Sequence, residues 1–319
     1  MDEFGAIAQL TRQADFRSLC RTTLEAVQVM LPNNAIEILE AFDPRGTTSP
    51  NSPAPLGVRR MTDGQDIVAP EWLKAAMLME RHHEQLPVIN TADEQNIVCL
   101  GVLSGMYRFL AIAGNPLPEK LAGVVRVATI FAHLLTLMDR FERDPLTDLL
   151  NRQSFDYRFE ELMARHRRDP QRTRIDHGPW LAIADIDDFK RVNDSYGHVY
   201  GDEILQQFSD LLRESFRTED LLFRYGGEEF VIILNNTDPG GAALALERFR
   251  EKVSSYPFPT VGRVTVSVGW VPIESQSLAS DLIHRADQAL YKAKQAGRNC
   301  VLSYAEAFGE ASVLSNTAA

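Results

Sequence analysis

A Gly-Gly-Glu-Glu turn framed by two apolar runs, in the stretch DLLFRYGGEEFVIIL from Asp220 to Leu234, constrains this chain more than any other feature. Leu221 to Phe223 enter the turn and Phe230 to Leu234 leave it, the pattern of a β-hairpin whose glycine pair tolerates positive φ. Gly226 and Gly227 have no side chains to keep a phosphate from the backbone. Glu228 and Glu229 place two hard oxygen donors at the tip, the ligand type that a divalent cation takes. An ordinary solvated turn uses the same residue types, so the hairpin alone leaves both readings open.

A second acidic segment narrows the choice. Trp180 to Asp202 reads WLAIADIDDFKRVNDSYGHVYGD, an apolar strand ending in acids, then a helical stretch and a Gly-rich turn. Asp185 and Asp187 alternate with Ile186, so at the end of an extended strand their carboxylates point to the same side. Two acids on one strand end and two on a neighbouring hairpin suit a magnesium-nucleotide site, in which one or two carboxylates, waters and substrate phosphates complete an octahedron.

With three further blocks the chain resembles the GGDEF-domain diguanylate cyclases. DPLTDLLNR (Asp144 to Arg152), GHVYGD (Gly197 to Asp202) and ADQALYKAKQAGRN (Ala286 to Asn299) join RYGGEEF and DIDDFKRVND in the family's order and spacing, over roughly residues 144 to 305. Asp148 departs from the pattern, standing where the family usually has glycine, and puts the local turn geometry in question.

The resemblance implies metal ligands at Asp185, the Ile186 carbonyl and Glu228, holding Mg2+ with Mn2+ as an alternative, and Glu228 as general base for a ribose 3′-hydroxyl. A metal lowers the pKa of that hydroxyl while a nearby carboxylate takes its proton. It implies guanine recognition by Asn193 and Asp202, an amide and a carboxylate able to read the base edge; the plain alternatives are a surface Asn and an N-cap for a helix beginning near Glu203. His198 is by resemblance a further substrate contact. Phe189 and Lys190 are expected to face the terminal phosphates, chiefly through backbone N–H groups and the Lys ammonium, beside Gly226 and Gly227. Lys294 and Arg298, four apart on a helix and so on one face, are expected to hold the leaving pyrophosphate.

The implied reaction condenses two GTP into cyclic di-GMP and two pyrophosphates. One such site presents one 3′-hydroxyl and the product needs two reciprocal bonds, so a homodimer is expected. Arg217 and Asp220, in RTED just upstream of the hairpin, match the family's product-inhibition site; a weak surface ion pair is the bland reading. The alternative function is a catalytically silent cyclic di-GMP receptor or signalling scaffold.

Length and composition fit two domains: 319 residues, 45% hydrophobic. A net charge of −11 argues against binding of a nucleic-acid polymer. Cys20, Cys99 and Cys300 are odd in number and widely spread, as reduced thiols are. Asp2 and Glu3 stand where a secretory leader carries basic residues, so a cytoplasmic location is expected. Leu121 to Met138 is nearly long enough to span a bilayer, but Arg126 would cost ~2.5 to 3.5 kcal/mol there, and no membrane insertion is expected. Val124, Val127, Phe131, Leu134, Met138 and Phe141 instead repeat as a short a/d seam.

The expected architecture is therefore α/β (α+β): a GAF-like antiparallel-sheet sensory and dimerisation domain over 1–140, ending in a helical stalk; a palm-like GGDEF nucleotidyl-cyclase domain over 141–305; and a flexible tail over 306–319. The GAF-like expectation rests on position before a GGDEF domain and on element order: a helix at Phe16 to Leu31, the strand AIEILEAF, a Pro/Ser-rich loop over Asp43 to Leu56, a helix around Glu71 to Glu80, and three strands before the helix from Pro118. Its ligand is unknown. The pair His82 and His83 beside Glu84 is weighed as a metal or haem site against a surface pair, since adjacent helical residues diverge by about 100°.

Overall fold

A computed structural model of the chain describes residues 3–309 apart from 12, 14–15, 43–56, 63–64, 74–75, 77–87, 91–94, 104–105, 169–177 and 275. The Pro/Ser-rich loop, the His82–Glu84 group and most of the helix placed around Glu71 to Glu80 lie outside the described residues. The chain divides into two compact units, Met1–Phe141 and Glu142–Ala319.

The first unit is built on an antiparallel sheet of six strands in the order β3-β2-β1-β6-β5-β4: β1 Ile36–Phe42, β2 Gly57–Arg60, β3 Asp66–Ile67, β4 Val88–Asn90, β5 Gln95–Leu103 and β6 Met106–Ala113. Alternation of side chains divides it into two apolar faces. Ile38, Val98, Leu110 and Ile112 pack under the helices Phe16–Met30 and Pro118–Glu142, while Leu39, Ile97, Phe109 and Ala111 form a second cluster with Leu73 and Trp72. Cross-strand partners Glu40 and Arg108 form a buried ion pair at 2.9 Å.

Helix Pro118–Glu142 is long and apolar enough to cross a membrane by length and composition. Here Val124, Val127, Ala128, Phe131 and Leu135 are buried in the core of this unit, with Leu134 and Met138 packed against it. This corrects the a/d expectation: most of that seam is used inside one chain, leaving Phe141 of the seam at 79% exposure.

The second unit is a three-layer α/β sandwich on a six-stranded sheet, order β12-β11-β8-β10-β9-β7. Its strands are β7 Leu150–Asn151, β8 Trp180–Ile186, β9 Leu221–Gly226, β10 Glu229–Leu234, β11 Val266–Pro272 and β12 Val301–Ser303. All seven residues of β8 are buried, because helices cover both faces of this central strand. Even-numbered residues Trp180 to Ile186 face Phe208, Leu212 and Phe249 of helices His198–Ser215 and Pro239–Ser255. Odd-numbered Leu181 and Ile183 face Phe155 and Phe159 of helix Arg152–Arg168 and Leu282 and Leu290 of helix Ala279–Gln295.

Gly269 on β11 lets helix Ala279–Gln295 lie against the sheet, since a Cβ there would stand 2.2 Å from Ala286 O and Leu290 N. Asp148 takes φ 55, the left-handed region that Asp tolerates better than most residues, and its carbonyl accepts a hydrogen bond from Arg143. The turn thus forms with Asp in the glycine position. Residues 306–308 of the expected tail belong instead to the helix Tyr304–Phe308, which has a capping box between Ser303 and Glu306.

Candidate active site

The acidic cluster forms where β8 ends. Pairing places Glu229 opposite Asp185, and Ile186 N–H donates to Glu228 O at 3.3 Å, so sheet register brings the hairpin tip to the strand end. Asp185 points to the side of the sheet covered by helix Ala279–Gln295, from which Lys294 Nζ reaches its carboxylate at 2.8 Å. Burial, opposed by Lys294 and reinforced by the charges of Glu228 and Glu229, pushes Asp185 up to about 6. Asp187, though on the same side, is occupied by protein donors: Thr265 Oγ1 and Ser267 Oγ at 2.7 Å and Asn299 N–H at 3.0 Å.

This donor set fits a hard divalent cation. Among the described residues no three His, Cys, Asp or Glu side chains converge as a self-sufficient metal site. Asp185, Glu228 and the Ile186 carbonyl could together hold an ion of the Mg2+ type, with waters and phosphates supplying its other ligands. The attraction of Lys294 to Asp185 shows that this locus favours positive charge.

Gly226 and Gly227 correct the turn expectation, for neither has positive φ. Their value is space: nothing lies within 4 Å of a Cβ built on Gly227, and one on Gly226 would meet Glu229 Oε2 at 3.1 Å. The hairpin bends instead through a bulge, Gly226 pairing with Glu229 and Arg224 with Phe230.

Arg224 was not anticipated from the sequence. Its Nε and Nη2 donate to Gly227 O at 3.2 and 3.0 Å while Nη1 donates to both Asp144 carboxylate oxygens at 3.0 and 3.2 Å. Although burial raises the Asp144 pKa, hydrogen bonds from Thr147 and Arg224 outweigh it and hold the carboxyl below its usual range. The signal was legible only as an Arg two residues before the glycines. A cleft of about 450 Å³ on this β7 side of the hairpin is lined by Asp144, Arg152, Arg224, Tyr225, Gly226 and Gly227. Of the expected substrate residues only the two glycines border it.

The remaining residues sort by element. Phe189 and Lys190 open helix Phe189–Tyr196, whose first N–H groups have no intrahelical acceptor. The Phe189 ring is buried in the core, so only its backbone can meet a ligand, while Lys190 is exposed. A break at Gly197, φ 87, starts the next helix at His198. Asp202 therefore lies within helix His198–Ser215, which overturns its reading as an N-cap near Glu203. Asn193 Oδ1 presses on Gly201, where a Cβ would sit only 2.0 Å away. His198 and Asp202 are exposed beside it.

Arg298 does not share the helix of Lys294, which corrects the expectation that both lie on one helix face. The helix ends at Gln295, and Gly297, Arg298 and Asn299 follow with φ 117, 66 and 48. Arg298 Nε nonetheless comes to 3.4 Å from Asp188 Oδ1. In RTED, Arg217 is exposed, but Asp220 is only half-buried and not an exposed partner as expected. Its carboxylate accepts the N–H groups of Arg217 and Asn235, both at 2.9 Å, and burial raises its pKa to about 6.

A strand-end acid cluster, a glycine-opened hairpin and the side chains of Lys294 and Arg298 beside an α/β sheet are the parts that a domain handling phosphate groups needs. Residues 141–300, half of the chain, match the family described as Diguanylate cyclase, GGDEF domain, and the chain belongs to that family. It is 39% identical over 171 residues to diguanylate cyclase DgcP of Pseudomonas aeruginosa, covering 53% of this chain and 25% of that protein. It is 38% identical over 252 residues to response regulator PleD of Caulobacter vibrioides, covering 72% of this chain and 53% of PleD. The chain thus spans between a quarter and about half of these relatives. The crystal structure of the coiled coil and GGDEF domain of DgcB from Caulobacter crescentus, in complex with c-di-GMP, superposes with TM-score 0.51 at 30% identity, covering 58% of this chain and 97% of that one.

Proposed function

We propose that this protein is a diguanylate cyclase that condenses two GTP into cyclic di-GMP and two pyrophosphates across a homodimer in the cytoplasm. The observation that carries the reading is the pairing of β10 with β8, which brings Glu228 and Glu229 to Asp185 within reach of Lys294.

Asp185, the Ile186 carbonyl and Glu228 would hold Mg2+ or Mn2+, which when bound neutralises phosphate charge and acidifies the attacking hydroxyl. Glu228 accepts the proton of the 3′-hydroxyl. Lys294 then exchanges Asp185 for the departing pyrophosphate, with Arg298 beside it. Lys190 and the N–H groups opening its helix bind the terminal phosphates, and Gly227 leaves the backbone open to them. Asn193 and Asp202 read guanine, with His198 at the same helix junction. Each domain presents one nucleophile, so a facing copy completes the product, and proximity then supplies roughly 7 to 11 kcal/mol in favourable cases.

Arg217 and Asp220 form the product-inhibition site, with Arg217 as the ligand-facing partner. The N-terminal unit is read as GAF-like sensory and dimerisation domain, a reading that draws on its six antiparallel strands and closing helix. The boundaries adopted are 1–140 and 141–305.

Purified protein incubated with GTP and Mg2+ tests the proposal. Cyclic di-GMP is expected, at a rate that rises more than linearly with dilute protein. Absence of product at every protein concentration, with cyclic di-GMP still bound, would establish the silent receptor instead.

A further inference from the structure

Asp187 is the acid of the strand end that the nucleotide site does not use. It is buried, and each oxygen is engaged: Oδ1 by Ser267 Oγ, Oδ2 by Thr265 Oγ1 and by the backbone N–H of Asn299. Its own N–H donates to Thr265 O at 2.9 Å, fixing the strand end to the segment entering β11.

The Asn299 bond spans 112 residues and ends in an unusual turn. Gly297, Arg298 and Asn299 have successive positive φ, a conformation L-residues resist and keep only where surroundings over-determine it. Asp187 supplies part of that restraint. Arg250 supplies more, donating from Nη1 to Asn299 Oδ1 at 3.0 Å. The turn begins where helix Ala279–Gln295 ends, and so carries Lys294 at 2.8 Å from Asp185 and Arg298 at 3.4 Å from Asp188 on its two sides.

We propose that Asp187 is a positioning residue: its carboxylate holds the left-handed turn 297–299 so that Lys294 and Arg298 meet the phosphates, and it does not ligate the metal. This rests on the cyclase reading for what the two cations bind, but not for the restraint itself. An amide can replace the carboxylate here. The Oδ1 of an introduced Asn accepts from Thr265 and Asn299, and its Nδ2 donates to the rotatable Ser267 hydroxyl. A metal ligand would not survive that exchange unchanged.

The test compares Asp187→Asn, Asp187→Ala and Asp185→Asn in the full chain. Hydrogen–deuterium exchange across residues 297–300, without nucleotide or metal, reads the restraint directly. Asp187→Ala is expected to lose protection there and to weaken inhibition by pyrophosphate about tenfold, the size of one displaced charge-assisted contact. The Asn variant should recover both, with half-saturating Mg2+ as in the wild type, whereas Asp185→Asn raises it. Protection unchanged in Asp187→Ala overturns the proposal, as does an Mg2+ requirement in Asp187→Asn that rises like that of Asp185→Asn. If the Ala variant does not fold, Thr265→Val with Ser267→Ala removes two of the three donors and must loosen the same amides. A wild-type protein that makes no product counts against the cyclase reading alone, and the exchange comparison still decides this one.

Discussion

Arg224 holds the Gly227 carbonyl with one edge of its guanidinium and the Asp144 carboxylate with the other, joining the hairpin tip to the first turn of the second unit. Gly227 itself is exposed and lacks a side chain. Arg224→Lys keeps the charge but cannot span both acceptors with a fork. It should lower kcat/KM by about 10 to 100-fold, matching ~1.5 to 3 kcal/mol for hydrogen bonds to a charged group. Unchanged kinetics would show that the tip is placed without it.

Asp144 gives the same contact a pH signature. Its folded pKa lies below 3.8, so its stabilising contribution is fully present above that value and is lost as pH falls through the folded pKa. Asp144→Asn should therefore unfold at lower urea concentration than the wild type at pH 7. The gap should close below about pH 4, and a gap that stays constant to pH 3 would refute the assignment.

Glu228→Gln preserves size while removing a charge and a proton acceptor. Turnover should fall by about 10² to 10³, the scale of one lost transition-state stabiliser, with the thermal midpoint close to wild type. Near-normal turnover would take Glu228 out of the chemistry.

Gly201→Ala tests guanine recognition without touching a recognising group. The new methyl would stand 2.0 Å from Asn193 Oδ1, so the amide must move. KM for GTP should rise about tenfold and stability fall by ~1 to 3 kcal/mol, as in other overpacked sites. Discrimination against ATP should weaken too. Equal GTP and ATP profiles before and after the change would detach Asn193 from base choice.

Arg217→Ala and Asp220→Ala should differ. Arg217 is solvent-exposed, and its loss is expected to abolish inhibition by added cyclic di-GMP without lowering the thermal midpoint. Asp220 holds two backbone N–H groups, and its loss should cost ~1 to 3 kcal/mol in addition. Identical inhibition curves for wild type and Arg217→Ala would leave RTED a surface turn.

The residues legible in the sequence were those whose role follows from local order. The hairpin and the apolar strand that carries Asp185 to the site are set by periodicity and turn chemistry, and the structure keeps them. What the sequence hid depends on contacts between distant segments. Arg224 reaches Asp144 across 80 positions and Asp187 reaches Asn299 across 112, neither implied by spacing. The i+4 relation of Arg298 to Lys294 is helical, but the chain leaves the helix at Gln295, and the two side chains converge through a left-handed turn. The plain alternative for Asp202, an N-cap, places a helix start near Glu203 after the Gly-rich turn. The boundary is Gly197, and Gly201 is a point of close helix contact.

The helix from Pro118 has a consequence for recombining this protein with others. Val124, Val127, Ala128, Phe131 and Leu135 are part of the first unit's core, so a transplant of the second unit that starts at Pro118 carries a naked apolar stripe and invites aggregation. A graft point after Leu135 leaves that stripe with its owner. The donor module then has to end in a helix whose phase continues into Thr136, Leu137 and Phe141, and the interchangeable part of this chain is bounded by the last buried side chain of a helix that itself runs on without a break.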